Sequence, residues 1–176
     1  MAILAGLLAA PMAQAEPRCD MAAIAHCANA SQLLRAPGFE EALGRVLDGR
    51  QVTWLGRQRS VGDVVREVLG GAPDDAAQVA HGLLRFLAVR AGSATERGAI
   101  FVSGDGTIAA IGVLHFNCAK RCDKTYSLSI LVNHDDARPV ALVRAWGAEQ
   151  MALNRERGFE EDLAVIARVE VLTRQD

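Results

Sequence analysis

The sequence predicts an α+β protein in which N-terminal helices pack on an antiparallel β-sheet of about four to five strands. Two observations lead to this prediction. Apolar residues recur at helical spacing over residues 20–90, and the pattern then changes to short strands separated by turn residues. Helices that come first and strands that come later are typical of α+β proteins, whereas β-α-β units would alternate along the chain.

The helical half contains four predicted helices, each with an apolar stripe on one side. Ser60 is placed to cap the third helix, and Gly70-Gly71 follows its end. A short apolar patch around Trp54 separates the second helix from the third. The predicted ranges are residues 20–34, 37–47, 61–69 and 73–90.

The second half contains four predicted strands that form an antiparallel meander. Gly104-Asp105-Gly106 is a tight-turn signal between the first two strands, and a loop with two cysteines joins the second to the third. The predicted strands are residues 99–103, 107–116, 126–132 and 138–146. A further helix over 159–167 and a short last strand over 169–171 complete the chain.

Residues 1–15 have the features of a signal peptide. An uncharged apolar run ends in Ala13-Gln14-Ala15, which is the small-x-small pattern that signal peptidase cuts. Cleavage there leaves residues 16–176, which we expect to form a single domain. No later stretch approaches the length of apolar sequence that spans a bilayer, so no membrane segment is expected after cleavage. The sequence thus predicts an exported, periplasmic protein.

Charge and composition argue against nucleic-acid binding. The chain has 176 residues with 19 Lys+Arg against 21 Asp+Glu, which gives a formal net charge of −2. A nucleic-acid-binding protein usually has a basic excess. Aromatic residues make up only 5% of the chain, so platforms for base stacking are not expected either.

Four cysteines remain after the predicted cleavage, namely Cys19, Cys27, Cys118 and Cys122. Four cysteines allow three pairings, and an oxidising compartment favours disulfides. The local pairing, Cys19 with Cys27 and Cys118 with Cys122, needs only short loops. We predict this pairing, with each bridge shaping a local segment more than it holds the fold together.

The loop around Cys118 and Cys122 allows three interpretations. The two cysteines could join His115 and His134 as metal ligands, although the spacing matches no standard zinc pattern. They could form a periplasmic thiol-redox or copper-handling pair, although a strand and not a helix is predicted after Cys122.

The third interpretation is a structural disulfide that presents the segment Ala119-Lys120-Arg121. The bridge would fix two cations at the tip of a small loop, with Lys124 nearby. A loop that is ordered in advance loses less entropy on binding, which suits insertion into a cleft of another protein. The same bridge would also fit a binding module whose partner is unknown.

Signals of catalysis are absent from the sequence. It contains no G-x-S-x-G, H-E-x-x-H or P-loop motif, and no nucleophile stands beside a base. We therefore predict that the chain is not an enzyme and that it uses no cofactor and no metal.

The order of these parts resembles the periplasmic inhibitors of vertebrate (c-type) lysozyme, the Ivy family. In that family an early helical segment and a patch around a Trp precede a strand, a short disulfide loop and an amphipathic strand. The resemblance covers roughly half of the chain after cleavage. The matching segments here are residues 33–39, 42–43 and 47–49, residues 52–55 around Trp54, residues 108–114, the Cys118–Cys122 loop and residues 126–132.

The resemblance implies an inhibitor of a lysozyme-like muramidase whose loop, Cys118 to Cys122, inserts into the active cleft. The family loop has four residues between its cysteines and a Lys-Pro-His core, and its His reaches the catalytic carboxylates. This chain has three residues there, with neither His nor Pro. Lys120 or Arg121 would therefore take that part, and residues 60–90 would be a helical insertion into the family pattern.

Overall fold

The computed structural model describes residues 18–47, 49–54, 57–118, 121–133 and 136–173. Several sequence predictions fall on other residues: the predicted signal peptide, and Ala119, Lys120 and His134.

Four α-helices occur in the described part of the chain: α1 (Ala30–Leu33), α2 (Phe39–Leu47), α3 (Val61–Leu69) and α4 (Ala137–Glu156). Short 3₁₀ helices cover Met21–His26, Ala80–Gly82 and Glu161–Ala164. The predicted helices over 37–47 and 61–69 are confirmed. The Ser60 cap is confirmed as well, since its hydroxyl accepts from the backbone N–H of Asp63 at 3.1 Å.

The strands form one hairpin and one large sheet. The hairpin joins β1 (Gln51–Trp54) to β2 (Arg57–Ser60). The sheet has seven strands in the order β3-β5-β6-β7-β8-β9, and β4 also pairs with β5. Its strands are β3 (Ala72–Pro73), β4 (Ala77–Gln78), β5 (Leu84–Val89), β6 (Arg97–Val102), β7 (Ile108–His115), β8 (Tyr126–Val132) and β9 (Ile166–Thr173).

The predicted fold class is confirmed, because helices pack on a largely antiparallel sheet. Strands β5 to β8 form a four-strand antiparallel meander. Strand β9 then adds in parallel to β8 after the crossover through α4. A parallel neighbour requires such a crossover connection, which explains why the longest helix lies between β8 and β9.

The sheet is covered on both faces, so the core has two halves. Helices α2 and α3, the N-terminal segment and the hairpin cover one face around Phe39, Val65 and Phe86. Helix α4 covers the other face around Val143 and Trp146. Successive strand residues point to opposite faces. The central strands are therefore apolar at nearly every position, as the burial of β6 and β7 shows.

The predicted helix over 73–90 is wrong. This segment forms β3, β4, a 3₁₀ turn and β5, so the stretch 60–90 is only partly helical. Strand β5 has neighbours on both sides and is covered on both faces: Phe86 and Ala88 pack in one half of the core, and Leu87 and the preceding Leu83 pack in the other. A strand that is apolar on both faces shows no clear alternation of apolar and polar residues. The spacings of three and four residues between its apolar positions are also those of a helix, which is why a helix was predicted.

The predicted strand over 138–146 is also wrong, because this segment begins α4. The Asp136 carboxylate accepts from the backbone N–H of Arg138 at 3.0 Å and caps the helix. Pro139 lies in the first turn, where a missing N–H costs little. Val143, Trp146 and Met151 are then buried on one side of the helix.

Two further predictions need correction. The predicted helix over 20–34 is a 3₁₀ helix followed by the short α1, which the Asn29 side chain caps. The predicted helix over 159–167 is reduced to the 3₁₀ turn Glu161–Ala164, because the chain must enter β9 at Ile166. The predicted last strand is confirmed and extends to eight residues.

Both predicted disulfides are confirmed: Cys19 bonds to Cys27, and Cys118 bonds to Cys122. Such bridges form and persist in oxidising compartments, as the sequence prediction of export requires. Among the helices of the described residues, none is both long and apolar enough to cross a bilayer.

Packing of α4 on the sheet gives a stability prediction at Gly112. A Cβ there would lie 2.5 Å from Val143 Cγ1 and 2.8 Å from Trp146 Cζ3. We expect Gly112→Ala to lower the free energy of unfolding by about 1–3 kcal/mol, since overpacking forces α4 away from β7.

Gly44→Ala is the matched control for this prediction. A Cβ at Gly44 meets nothing within 4 Å, and alanine in an exposed helix position is favoured by about 0.5–1 kcal/mol over glycine. Urea unfolding of both variants should therefore give changes of opposite sign. A Gly112→Ala protein as stable as the wild type would contradict the described contact between α4 and β7.

Candidate functional site

The candidate site is the loop that joins β7 to β8. The chain leaves β7 at His115 and enters β8 at Tyr126. Cys118 and Cys122 face each other as an isolated antiparallel bridge closed by their disulfide. The loop is therefore a small ring at the end of a long hairpin, as the sequence predicted. Of its predicted residues, the described part of the chain includes Cys118, Arg121 and Cys122.

The base of the loop is fixed to the core. The backbone N–H of Asp123 donates to the carbonyl of Asn117 at 2.8 Å. The Phe116 ring stacks on the Tyr126 ring with centroids 4.7 Å apart. The buried Tyr126 hydroxyl in turn donates to the Thr95 carbonyl at 2.9 Å. These contacts hold the described residues on both sides of the disulfide to the sheet.

The described residues on the C-terminal side of the loop are exposed. Cys118 is buried, whereas Arg121, Cys122, Asp123 and Lys124 are exposed. Within the part of the chain that the structure describes, neither Arg121 nor Lys124 has an ion-pair partner. Both cations are therefore available to a carboxylate of another molecule.

A buried histidine ends strand β7, just before the loop. His115 is only 6% exposed, and its ring packs against Trp54 with centroids 4.8 Å apart. Its Nε2 lies 2.8 Å from the Ser129 hydroxyl, and its Nδ1 lies 3.3 Å from the Phe116 carbonyl. A carbonyl can only accept, so Nδ1 carries the proton and Nε2 accepts from Ser129.

Burial lowers the pKa of His115, and the Phe116 carbonyl and the charge of Glu170 oppose this effect only in part. The imidazole is therefore neutral at neutral pH. A neutral imidazole that accepts from a serine hydroxyl is a hydrogen-bond geometry that general bases use. No described carboxylate bonds to Nδ1, however, so the pair is best explained as a satisfied buried histidine.

His115 forms part of the floor of a polar cleft of about 320 Å³ between the hairpin and the sheet. Trp54 also lines this cleft, but its ring is buried and its indole N–H has no acceptor among the described residues. The rim includes Arg168 and Glu170 of β9, whose charged atoms are 3.8 Å apart. The other lining residues are Gln51, Val52, Thr53, Gln58, Val61, Val64, Asn117, Ser129, Leu131 and Leu172.

Sequence reasoning missed the contact between His115 and Ser129. The two residues are 14 positions apart and lie on neighbouring strands, where the register brings Val113 opposite Ser129. The available signal was weak: His115, Ser127 and Ser129 are polar residues at alternate positions of otherwise apolar strands, which places them on one face.

The metal interpretation of the loop finds no support in the described residues. Both sulfurs are disulfide-bonded, and both ring nitrogens of His115 have hydrogen-bond partners. No group of three or more His, Cys, Asp or Glu side chains in the described part of the chain is arranged to hold a metal ion. His134, the fourth residue considered, lies outside that part.

The buried His115 gives a pH prediction. Because its pKa is lowered in the folded state, the unfolded chain binds a proton more readily as the pH falls. The stability that depends on the neutral ring is complete above about pH 6.5, the ordinary histidine pKa, and we expect it to be lost as the pH falls through the lower folded-state pKa. His115→Gln should flatten this loss in urea unfolding between pH 7 and pH 5. Equal pH dependence in both proteins would contradict the prediction.

Comparisons with known proteins leave the chain without an assigned family. No protein-family model, no curated protein and no solved structure matches it. The resemblance to the lysozyme inhibitors therefore stays a prediction from sequence.

Proposed function

We propose that the protein is an exported inhibitor of a lysozyme-like muramidase and that the Cys118–Cys122 loop enters the active cleft of its target. The observation that carries this proposal is an exposed arginine, Arg121, within a disulfide-closed ring whose base is anchored to the sheet. A ring closed by a disulfide has fewer conformations to lose on binding than an open loop of the same length.

The chemistry of the target favours a cation at the loop tip. Glycosidases cleave sugar bonds with a pair of carboxyl groups on opposite sides of the scissile bond. The planar guanidinium of Arg121 can donate two parallel hydrogen bonds to one carboxylate. Lys120, the other candidate, would supply a point charge. Either cation would occupy the place where the substrate binds and so block the enzyme.

Export to the periplasm belongs to the same proposal. It is supported by the two disulfides and by the signal-peptide pattern over residues 1–15. Muramidases act on the cell wall, so an inhibitor in this compartment would protect the wall.

The alternative is a thiol-redox or copper-handling protein that uses Cys118 and Cys122. Reactive cysteine pairs have a lowered thiol pKa, often because a helix N-terminus lies beside them. Here Cys122 is followed by the turn into β8, and Cys118 is buried. Neither feature favours a thiolate, and therefore the inhibitor is the better-supported function.

Inhibition of a panel of c-type lysozymes tests the proposal directly. The protein purified from a periplasmic extract should suppress cell-wall lysis at stoichiometric, micromolar concentration. The double variant Cys118→Ser/Cys122→Ser should inhibit about tenfold less well, because the opened ring must be ordered on binding.

The matched control is Cys19→Ser/Cys27→Ser, which removes the other disulfide far along the chain from the loop and should leave inhibition intact in the folded protein. A wild-type protein that leaves every lysozyme active would refute the proposal. A readily reduced Cys118–Cys122 bond, or copper bound to it, would favour the alternative.

A further inference from the structure

Strand β9 forms an open edge of the large sheet. It pairs on one side with β8 from Ile166 to Thr173, with a shift of register at Ala167. No described residue pairs with its outer side. An edge strand of this length presents a row of unpaired N–H and carbonyl groups, which can add a strand from another chain.

Exposed apolar side chains concentrate at this edge. Among the described residues, only two large hydrophobic side chains are exposed, Val165 at 42% and Val169 at 37%. Val165 directly precedes β9, and Val169 lies within it. Burial of these two side chains would favour association through the same edge.

The charges of β9 specify which strand fits. Arg168 and Glu170 flank Val169 and share one face of the strand, because side chains alternate. Consider a second β9 that runs antiparallel with the two Val169 residues opposite each other. Arg168 of each copy then lies opposite Glu170 of the other copy, so the strand is complementary to itself. Opposite charges in directly opposed positions stabilise strand pairing.

We propose that two copies of this chain associate through β9, as an antiparallel strand pair with two-fold symmetry centred on Val169. The two sheets then form one continuous sheet, which removes the open edge of each copy. This association does not depend on the proposed inhibition of a muramidase.

The arrangement leaves both candidate loops accessible. The Cys118–Cys122 ring precedes the start of β8, and β8 runs parallel to β9. In an antiparallel pair the strands of the two copies run in opposite directions. The two rings therefore lie towards opposite ends of the joined sheet, and each copy can bind its own target.

Charge reversal tests both the dimer and its register. Light scattering of the wild-type protein should give twice the monomer mass at high micromolar concentration. Arg168→Glu alone places a glutamate opposite Glu170 of the other copy, and Glu170→Arg alone places an arginine opposite Arg168 of the other copy. Each single variant should therefore be monomeric at a concentration where the wild type is dimeric, while its melting stays close to that of the wild type, because both side chains are about half exposed.

Mixing the two single variants, and combining both substitutions in one chain, is the sharper test. A mixture of the two single variants should form a heterodimer, since every opposed pair then has opposite charges. The double variant Arg168→Glu/Glu170→Arg should recover the homodimer. A wild type that is monomeric at all concentrations, single variants that still dimerise as the wild type does, or a mixture and a double variant that stay monomeric would each overturn the proposal. None of these measurements involves a lysozyme, so they are independent of the inhibition assay.

Discussion

Replacing Arg90 with methionine is expected to lower the free energy of unfolding by about 3–5 kcal/mol, the usual cost of leaving a buried charge without its partner. Arg90 Nε donates to a Glu96 carboxylate oxygen at 2.6 Å, and its Nη1 donates to Glu67 at 2.9 Å. Glu96 is only 3% exposed, and its second carboxylate oxygen has no partner among the described residues. Without Arg90 the Glu96 carboxylate would be buried without a counter-charge.

The control for this prediction is Arg138→Met, which removes an arginine whose side chain is 75% exposed and which lies 3.7 Å from the Asp136 carboxylate. Exposed pairs contribute about 1 kcal/mol at most. Urea unfolding of both variants at neutral pH gives the comparison. The double variant Arg90→Met/Glu96→Gln should be more stable than Arg90→Met alone, because the unpaired charge is gone. Equal losses in the free energy of unfolding for Arg90→Met and Arg138→Met would show that the buried ion pair contributes no more to stability than an exposed one.

Secondary structure could be predicted from sequence where one side of an element is polar. Helix α3 has this property: Val61, Val64, Val65 and Val68 are buried on one side, and Ser60 caps its start. Prediction failed at α4, where buried Gln150 and Asn154 interrupt the apolar stripe. Pro139 was the available signal, since proline rarely occurs in a central strand.

The candidate site could be predicted where its parts are close in sequence. The short spacing of Cys118 and Cys122 was enough to predict their disulfide, and the strand pattern on either side placed it in a hairpin loop. The surroundings of His115 could not be predicted. It depends on the register of β7 with β8 and on Trp54, which arrives from a hairpin much earlier in the chain. A strand register is a tertiary property, because a slip of one residue would move every side chain to the other face.

The self-complementary edge of β9 could not be predicted from the sequence for a related reason. The sequence predicted only three residues of strand there and gave no neighbour for it. The alternation of Arg168, Val169 and Glu170 indicates a self-complementary edge only when the strand is known to be the last in the sheet. Edge position follows from the α4 crossover, and that crossover was the segment predicted as a strand.

The largest functional effect is expected at the loop tip. If Arg121 meets a carboxylate in a partly desolvated cleft, Arg121→Ala should weaken inhibition by about 2–5 kcal/mol, which is about 30- to several-thousand-fold. Lys120→Ala is the parallel variant for the other candidate cation, and at least one of the two should lose most of its inhibition. Because Arg121 is exposed and has no described ion-pair partner, its removal should leave circular dichroism and melting nearly unchanged.

Lys124→Ala is the matched control for these variants. It removes the same charge from an exposed position two residues beyond the disulfide ring. A lysine there is attracted to an acidic cleft at long range, but it does not enter the cleft with the ring. Its effect should stay within about 1 kcal/mol, or roughly fivefold in affinity, and should fade with added salt. Titration of a lysozyme that the wild type inhibits gives all three inhibition constants in one assay. Small, salt-sensitive losses of equal size in Arg121→Ala, Lys120→Ala and Lys124→Ala would mean that the loop attracts the target by charge alone. A large loss confined to the residues within the ring requires that the ring itself enter the cleft.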